Sequence, residues 1–454
     1  MRPPASYRGV VYSVGLGKAS EPVGEVAMAS LLIKNGHVLS PEDNLDAELD
    51  VLVEDETICQ IAPGLTASAD ETIDARGQIV APGFIDLHCH LREPGGETSE
   101  TLETGLAAAV AGGFTAVCAM PNTRPVNDNP EATRSLIEKA RSLGLARVFP
   151  MAAVSPGSQG ESLADFEALV AAGAVGFTDD GRPVKTAELM QQALARALGL
   201  GVPIADHCEN PSLSAGGVMN AGPVCERLGL RGIPARSEEA CVARDLALAE
   251  ETGGLLHVQH LSTAGALEMV RAAKRRGIRV TCEVTPHHFT LTDEAAAQYG
   301  TNAKMNPPLR NVRDVETLVA AIADGTVDAL ATDHAPHAPE LKQKPMAEAP
   351  FGIIGLETAL ALALTQLVHP GKISLARLVL LMSTNPARII RRPLGRLAVG
   401  AVADITILDP NLEWTYHVAA GRSKSRNSPF DGWPFKGAAI ATIVAGKIVY
   451  RRAA

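Results

Sequence analysis

Two histidines separated by a single residue, His88 and His90, have the spacing of a metal-binding pair. They follow the apolar run 83–87 and precede the turn at Pro94-Gly95, a pattern that predicts a buried strand opening into a loop. Residues two apart on a strand point to the same side, so both imidazoles project together. Imidazole nitrogens are common zinc ligands, and the pair therefore predicts part of a metal site.

The surrounding chain predicts the scaffold that would position this pair. Eight short apolar runs alternate with Ala-rich helical patterns, which predicts a closed parallel (β/α)8 barrel of the TIM type. The predicted strands are 83–88, 115–120, 148–153, 174–178, 202–206, 255–260, 279–284 and 327–332. The predicted helices are 98–111, 130–143, 161–172, 186–200, 238–253, 263–276 and 313–324, with another at 356–368.

Active sites of such barrels lie at the carboxyl ends of the strands. In this sequence six of the predicted strand ends carry polar or ligand-type side chains, whereas the helices between them are poor in such groups. These side chains are His88, His90, Arg92, Asn122, Asp179, Asp180, His207, Glu209, His260, Asp333, His334 and His337. The distribution predicts a metal-dependent barrel enzyme. The strand pattern alone leaves open whether Asp179 or Asp180 faces the histidines.

Short β-strands flank the barrel at both ends of the chain. Because the two flanks are both rich in strand patterns, they are expected to pair into one small β-sandwich. The predicted organisation is therefore a poorly ordered extension at 1–29, a composite β-sandwich from 30–82 and 394–454, and a catalytic barrel at 83–393.

Composition excludes several classes of protein. The net charge is −10, so there is no overall basic character for binding nucleic acid. No apolar run is long enough to cross a bilayer, which argues against a membrane protein. The seven cysteines are dispersed and form no CxxC pair, which argues against a disulfide framework and for a reducing cytoplasm.

Several longer motifs carry a resemblance to one family. The chain resembles type I dihydroorotases of the amidohydrolase superfamily, which are metal-dependent cyclic amidohydrolases. The resemblance extends from about residue 31 to residue 450 and rests on the segments 86–95, 120–123, 178–181, 304–310, 331–337 and 349–352. The His-x-His pair is shared by many amidohydrolases, whereas the whole set of segments is specific to dihydroorotases.

The resemblance implies a reaction and a metal centre. The reaction is the reversible cyclisation of N-carbamoyl-L-aspartate to L-dihydroorotate in pyrimidine biosynthesis, at two zinc ions per subunit bridged by hydroxide. One zinc would take His88, His90 and Asp333, and the other would take His207 and His260. Asp180 would bridge them, because it matches the family's Asp-Asp-Gly motif and no lysine occurs before Lys185 to replace it.

The resemblance also assigns the catalytic and substrate-binding residues. Asp333 would be the proton shuttle. The substrate would be bound by His90, Arg92, Asn122, Asn306, His337, Phe351 and Gly352. Among these, Arg92 can bind a carboxylate with two parallel hydrogen bonds, helped by Asn122 and His337. Asn306 and the backbone at Phe351-Gly352 would hold the ring amides.

Other histidines and other functions remain as alternatives. His257, three residues before His260, is expected to point to the opposite face of an extended strand. His287 and His288 could approach the site or be structural.

A hydantoinase or allantoinase would share the barrel and metals. An inactive homologue that serves as a structural partner of aspartate transcarbamoylase is a further alternative, although such proteins lose metal ligands that this chain retains. A homodimer is expected, and association of an active enzyme with aspartate transcarbamoylase stays open.

The N-terminal extension yields a first prediction. Residues 1–29 show no periodic apolar pattern, and Met28 could serve as a start. We expect deletion of residues 1–27 to leave turnover and the midpoint of thermal unfolding unchanged. A clear loss of either quantity in the truncated protein would show that the segment is structural.

Overall fold

The computed structural model describes residues 29–453, so the predicted extension at 1–29 lies outside the described residues except for Ala29. The described chain forms an eight-stranded barrel, an eight-stranded sheet from both chain ends, and a small two-stranded sheet. The strands are β1 Ser30–Ser40, β2 Leu45–Glu54, β3 Thr57–Ala62, β4 Glu71–Asp74, β5 Ile79–Pro82, β6 Phe84–Cys89, β7 Phe114–Ala119, β8 Arg147–Ala152, β9 Gly176–Phe177, β10 Ile204–Asp206, β11 Met219–Asn220, β12 Gly232–Ile233, β13 Leu256–Val258, β14 Val280–Val284, β15 Ala329–Leu330, β16 Ile405–Thr415, β17 Pro434–Val444 and β18 Lys447–Arg451.

The α-helices of the barrel region follow the predicted alternation with the strands. They are α1 Leu102–Ala111, α2 Pro130–Leu143, α3 Phe166–Ala172, α4 Ala187–Leu200, α5 Pro211–Ser214, α6 Pro223–Arg227, α7 Ala235–Thr252, α8 Ala264–Arg275, α9 Pro286–Thr290, α10 Glu294–Tyr299, α11 Val312–Asp324, α12 Pro339–Lys342, α13 Ala359–Ala363, α14 Leu375–Val379 and α15 Asn385–Ile389. A π-helical turn, Leu364–Val368, continues α13, so the predicted helix at 356–368 is one α-helical and one π-helical piece.

The barrel strands are parallel and follow the order β6-β7-β8-β9-β10-β13-β14-β15. A parallel bridge between Cys89 and His334 joins the two ends of this row. All eight predicted strands are present at their expected places, which confirms the predicted barrel. Several barrel helices follow a side chain that accepts a hydrogen bond from the first turn, such as Thr101 before α1 and Thr263 before α8.

The barrel strands are buried on both faces. On β7, for example, Val117 packs in the cluster that includes the surrounding helices, whereas Ala116 and Cys118 pack in the barrel interior. Ala387 and Ile390, in and just after α15, belong to the interior cluster. This two-sided burial explains why the strands are apolar runs without alternation and end in polar residues only at the carboxyl edge.

The N- and C-terminal strands form one mixed sheet in the order β18-β17-β16-β5-β1-β2-β3, and β4 also pairs with β1. The junction between the two chain ends is the antiparallel pair β5–β16. Arg147 at the start of β8 pairs with Asp404 beside β16 through bonds of 2.8 and 3.2 Å. We propose, on this topology, that the domains divide at 82/83 and at 393/394.

None of the helices within residues 29–453 is both long and apolar enough to cross a membrane.

Candidate metal centre and substrate cavity

Four histidines and two aspartates from five strand ends meet at the carboxyl end of the barrel. They are His88 and His90 of β6 and its end, Asp180 after β9, His207 after β10, His260 after β13 and Asp333 after β15. All six side chains are buried. The parallel barrel makes this meeting possible, because it brings every strand's carboxyl end to the same rim.

The carboxylate of Asp180 lies at the centre of the group. Its Oδ1 is 3.4 Å from His88 Nε2, 3.7 Å from His207 Nδ1 and 3.6 Å from His260 Nε2. Its Oδ2 is 3.4 Å from His90 Nε2. Most of these separations exceed the usual length of a hydrogen bond, so the four imidazoles surround the carboxylate without saturating it.

Asp333 closes the group on the side of His88 and His90. Its Oδ1 is 3.1 Å from His90 Nε2 and 3.6 Å from His88 Nε2. Asp333 and His260 have backbone φ values of 42° and 30°, a conformation that residues other than glycine rarely adopt. Such strain is typical of functional sites, where the surrounding structure holds a residue in place for its chemistry.

The residues fit a metal centre. His88 Nε2 and Asp180 Oδ1 are fully buried and have no hydrogen-bond partner within the described chain. Two sets of ligand atoms lie within 4.8 Å of one another, one from His88, Asp180 and His260 and the other from His88, His90 and Asp333. Buried polar atoms without partners are costly, and a cation bound between these nitrogens and oxygens removes that cost.

A buried glutamate, Glu283 of β14, holds the imidazole of His88 from behind. Its Oε1 is 2.9 Å from His88 Nδ1, and its Oε2 is 3.0 Å from His257 Nε2. A proton on His88 Nδ1 leaves Nε2 as a free lone pair directed at Asp180, which is the form a metal requires. The sequence analysis did not identify Glu283, because an isolated glutamate inside an apolar strand gives no recognisable motif.

The strand pattern predicted that His257 lies on the opposite face from the site, and this prediction was wrong. It projects into the barrel interior, where it contacts Glu283 and where its Nδ1 is 2.8 Å from Thr281 Oγ1. The prediction assumed an extended strand through His260, whereas β13 ends at Val258 and the backbone then turns. His257 therefore supports the centre indirectly, through Glu283.

Two further contacts orient the other histidines. His207 Nε2 lies 3.1 Å from Glu209 Oε2, and the same carboxylate oxygen accepts a 2.6 Å bond from Asn306 Nδ2. His90 Nδ1 lies 2.9 Å from Asn122 Oδ1. Thus Asn122 and Asn306, both predicted to bind substrate, also hold histidines of the metal group, directly or through Glu209. The role of Glu209 was not identified from the sequence.

The strand pattern left open whether Asp179 or Asp180 faces the histidines, and the structure gives the two side chains different surroundings. Asp179 accepts a bond of 3.1 Å from the Ser155 amide and one of 2.6 Å from the Ser155 hydroxyl. Its side chain is thus held by the loop after β8, while Asp180 faces the four histidines.

Electrostatics keep the carboxylates of this region ionised. Burial raises the pKa of Asp180, but the positive charge that His88 carries when protonated and the imidazoles of His207 and His260 beside the carboxylate outweigh it, and the net pKa lies well below the ordinary value. In the same way burial is outweighed at Glu283, whose pKa is about 2 because His257 and His88 donate to it. These anions give the site the negative charge that a pair of divalent cations would balance.

A cavity of about 300 Å³ opens above the group. This volume lies at the lower end for small-molecule sites. The predicted substrate-binding residues all line it, and they are His90, Arg92, Asn122, Asn306, His337, Phe351 and Gly352.

Arg92, which is charged, and His337, which is neutral, form one wall of the cavity. Arg92 Nε donates to Pro336 O over 3.1 Å, and Arg92 Nη2 lies 3.4 Å from His337 Nε2. Burial, and secondarily the charge of Arg92, lower the pKa of His337 to about 3, so this imidazole is neutral. Its Nε2 donates to Phe351 O over 2.7 Å.

The backbone at Phe351 and Gly352 lies flat against this wall. A Cβ at Gly352 would stand 2.5 Å from Ala335 O and 2.9 Å from His337 Nε2, and the φ of Gly352 is +151°. Only glycine therefore allows this close approach.

The two remaining candidate histidines differ in their surroundings. His288 has both ring nitrogens within hydrogen-bond distance of a partner, Thr285 Oγ1 at 2.7 Å and Pro307 O at 2.9 Å, which indicates a structural role. His287 is buried, and its Nε2 has no partner among residues 29–453.

Comparison with known proteins agrees with this geometry. Residues 77–266 match the profile of the family described as Dihydro-orotase-like. The chain is 50% identical over 423 residues to a dihydroorotase of Geobacter sp. (strain M21), covering 93% of this chain and 99% of that protein. It is also 50% identical over 422 residues to a dihydroorotase of Solibacter usitatus (strain Ellin6076), with 93% and 98% covered. The chain belongs to the dihydroorotase family.

Solved structures of similar fold include a hydantoinase and a dihydropyrimidinase at lower identity. An L-hydantoinase (dihydropyrimidinase) from Arthrobacter aurescens superposes with a TM-score of 0.83 at 28% identity, covering 93% of this chain and 96% of that one. A dihydropyrimidinase from Brevibacillus agri NCHU1002 gives 0.80 at 26% identity, with 93% and 95% covered. This dihydroorotase-family protein therefore has the amidohydrolase fold and is a hydrolase.

The separation of Asp179 from Asp180 predicts different effects of removing each carboxylate. We expect Asp180→Ala to lose bound metal and activity together, because its carboxylate lies between the histidines. Asp179→Ala is the matched control and should keep much of both. Metal analysis by mass spectrometry alongside turnover checks this, and the reverse pattern in the two variants would assign the central position to Asp179.

Proposed function

We propose that this protein is a dihydroorotase that interconverts N-carbamoyl-L-aspartate and L-dihydroorotate in pyrimidine biosynthesis. The observation that carries the proposal is the position of Arg92. Its guanidinium has no carboxylate within ion-pair distance in the described chain, yet it lies in the same cavity as Asp180 and Asp333. An uncompensated cation beside a hydrolytic centre suits a substrate that is both a cyclic amide and a carboxylate.

The wall of the cavity supports recognition of that carboxylate. A guanidinium can bind a carboxylate with two parallel hydrogen bonds, which fixes its plane as well as its charge. Burial is the main reason that the pKa of Arg92 is lowered to about 10, and the group stays charged near neutral pH. The ring amides would then lie towards Asn306 and the backbone of Phe351 and Gly352, where the Phe351 carbonyl oxygen accepts from His337 alone and retains a second lone pair.

The metal is proposed to be zinc, two ions per chain. Nitrogen and carboxylate oxygen ligands suit this ion. His88, His90 and Asp333 would hold one ion and His207 and His260 the other, with Asp180 between them. When bound, the two ions supply an activated water and polarise the amide carbonyl.

Proton transfer falls to Asp333, which lines the cavity and lies beside both His88 and His90. Burial raises the pKa of Asp333, but the charges of His88 and His90 and the bond from His90 lower it to a net value below the ordinary one. In ring opening, the carboxylate accepts a proton from the attacking water and returns it to the amide nitrogen as the C–N bond breaks. In ring closure the same steps run backwards, and water leaves the carboxyl carbon.

Compartment and assembly are also proposals. The dispersed free cysteines support a reducing cytoplasm. Homodimer formation and association with aspartate transcarbamoylase rest on the family resemblance.

The role of Asp333 predicts intolerance of a near-isosteric change. Asp333→Asn can still coordinate weakly but cannot carry the proton. We expect turnover to fall by at least about 10²–10⁴-fold, the range associated with loss of a general acid–base group. Steady-state kinetics with metal content measured in parallel test this, and near-normal turnover in a metal-loaded Asn variant would remove Asp333 from the proposed role.

The role of Arg92 predicts substrate preference. Wild-type protein should strongly prefer dihydroorotate over dihydrouracil, which has the ring without the carboxylate. Arg92→Lys keeps the charge but loses the planar fork, so it should raise KM for dihydroorotate and shrink that preference.

The same assay distinguishes the alternatives. Equal turnover of hydantoin, allantoin or dihydrouracil by wild type would replace the dihydroorotase proposal with a hydantoinase or allantoinase. Absence of any activity in metal-loaded wild-type protein would favour the alternative that the protein is an inactive structural partner.

A further inference from the structure

Residues 343–352, here called the cavity loop, form one wall of the substrate cavity. The loop follows α12, and its last three residues, Pro350, Phe351 and Gly352, line the cavity. It contains no α-helix or strand, so its conformation depends on bonds to the rest of the protein.

Two lysine side chains supply those bonds. Lys304 Nζ donates to Met346 O and to Ala349 O, each over 2.6 Å. Lys342 Nζ donates to Pro350 O and to Gly352 O, each over 3.0 Å. Together the two ammonium groups bind four backbone carbonyls within seven consecutive residues of the loop.

Both lysines are buried in an unusual way. Lys304 is 3% and Lys342 6% exposed, and neither has a carboxylate partner in the described part of the chain. Lysine is rarely buried unless it is paired, because desolvating an ammonium group is costly. Burial, with the charge of Lys304 as the second cause, lowers the pKa of Lys342 to about 7. Two such groups side by side are difficult to explain by stability alone.

Through the cavity loop, the bonds made by the two lysines are linked to the wall that Arg92 and His337 form. Gly352 O, held by Lys342 Nζ, also accepts a 3.0 Å bond from Asn427 Nδ2. Gly352 N donates to Lys304 O over 2.8 Å, and the Lys304 ammonium lies 4.4 Å above the Phe351 ring. Phe351 O in turn accepts from His337, which lies beside Arg92.

We propose that Lys304 and Lys342 are positioning residues that hold the cavity loop closed against the site and thereby place the Phe351–Gly352 backbone and His337 for substrate binding. They do not touch the reacting atoms. The part that concerns substrate rests on the proposed function, whereas the fixing of the loop does not.

Hydrogen exchange of the free protein tests the loop itself. Lys342→Met and Lys304→Met keep an unbranched chain one atom shorter and remove its charge and donors. We expect amide exchange within residues 343–352 to become about tenfold faster in either variant, since bonds from a charged donor are among the stronger ones. Lys344→Met is the matched control, because Lys344 lies in the same loop but is exposed, and it should exchange as wild type does.

Steady-state kinetics on dihydroorotate test the link to substrate. We expect KM to rise about tenfold in the Met variants, with kcat and metal content nearly unchanged, as for loss of ground-state contacts. Lys342→Gln, which keeps a neutral N–H donor group, should recover part of the loss and also serves if the Met variant does not fold.

The outcomes separate the two proposals. Unchanged exchange in both Met variants overturns the fixing of the loop, and faster exchange with unchanged KM overturns its role in substrate positioning. If wild type does not act on dihydroorotate, the proposed function fails, while the exchange result still decides whether the lysines fix the loop.

Discussion

The structure depends on one buried carboxylate, that of Asp180, and on the four imidazoles around it. Its Oδ1 has no hydrogen-bond partner in the described chain, although it lies within 3.7 Å of three histidine nitrogens. An anion in this position is tolerable only if cations or proton donors surround it on every side. The closed barrel meets this requirement, because it delivers ligands from separate strands to one rim. The need to hold these side chains around Asp180 also accounts for the strained backbone at His260 and Asp333, which a less rigid scaffold would relax.

The second requirement is orientation. Each imidazole offers two nitrogens, and the group works only if the correct one faces Asp180. Glu283, Asn122 and Glu209 supply this by holding the other nitrogen of His88, His90 and His207 respectively. Further from the centre, Lys304 and Lys342 hold the backbone of the cavity loop in place, as Glu283 holds the imidazole of His88. The site is thus built in layers, and each layer restricts the one inside it.

Much of this was predictable from sequence, for identifiable reasons. Parallel barrel strands are buried on both sides, so they appear as apolar runs, and all eight were located. The side chains that meet at the barrel rim stand at the ends of those runs, so His88, His207 and Asp333 were found from position and type. Glu283 was not found, and Glu209 was located at a strand end without its role, because their partners depend on the register of distant strands and not on neighbouring residues. His257 was misplaced because the strand ends two residues before His260, and local alternation then no longer applies. Lys304 belongs to one of the segments that carry the family resemblance, but neither it nor Lys342 was given a role, since a surface lysine and a buried one look the same in a sequence.

The six side chains of His88, His90, Asp180, His207, His260 and Asp333 are proposed to hold two metal ions. The most direct test is zinc content per chain, measured on purified full-length protein by mass spectrometry while zinc is removed by a chelator and then restored. We expect two zinc ions per chain at full activity, and recovery of activity on adding zinc without any need for bicarbonate. Full activity with one ion or none per chain would contradict the account, and a requirement for bicarbonate would show that a carboxylated lysine, and not Asp180, joins the metals.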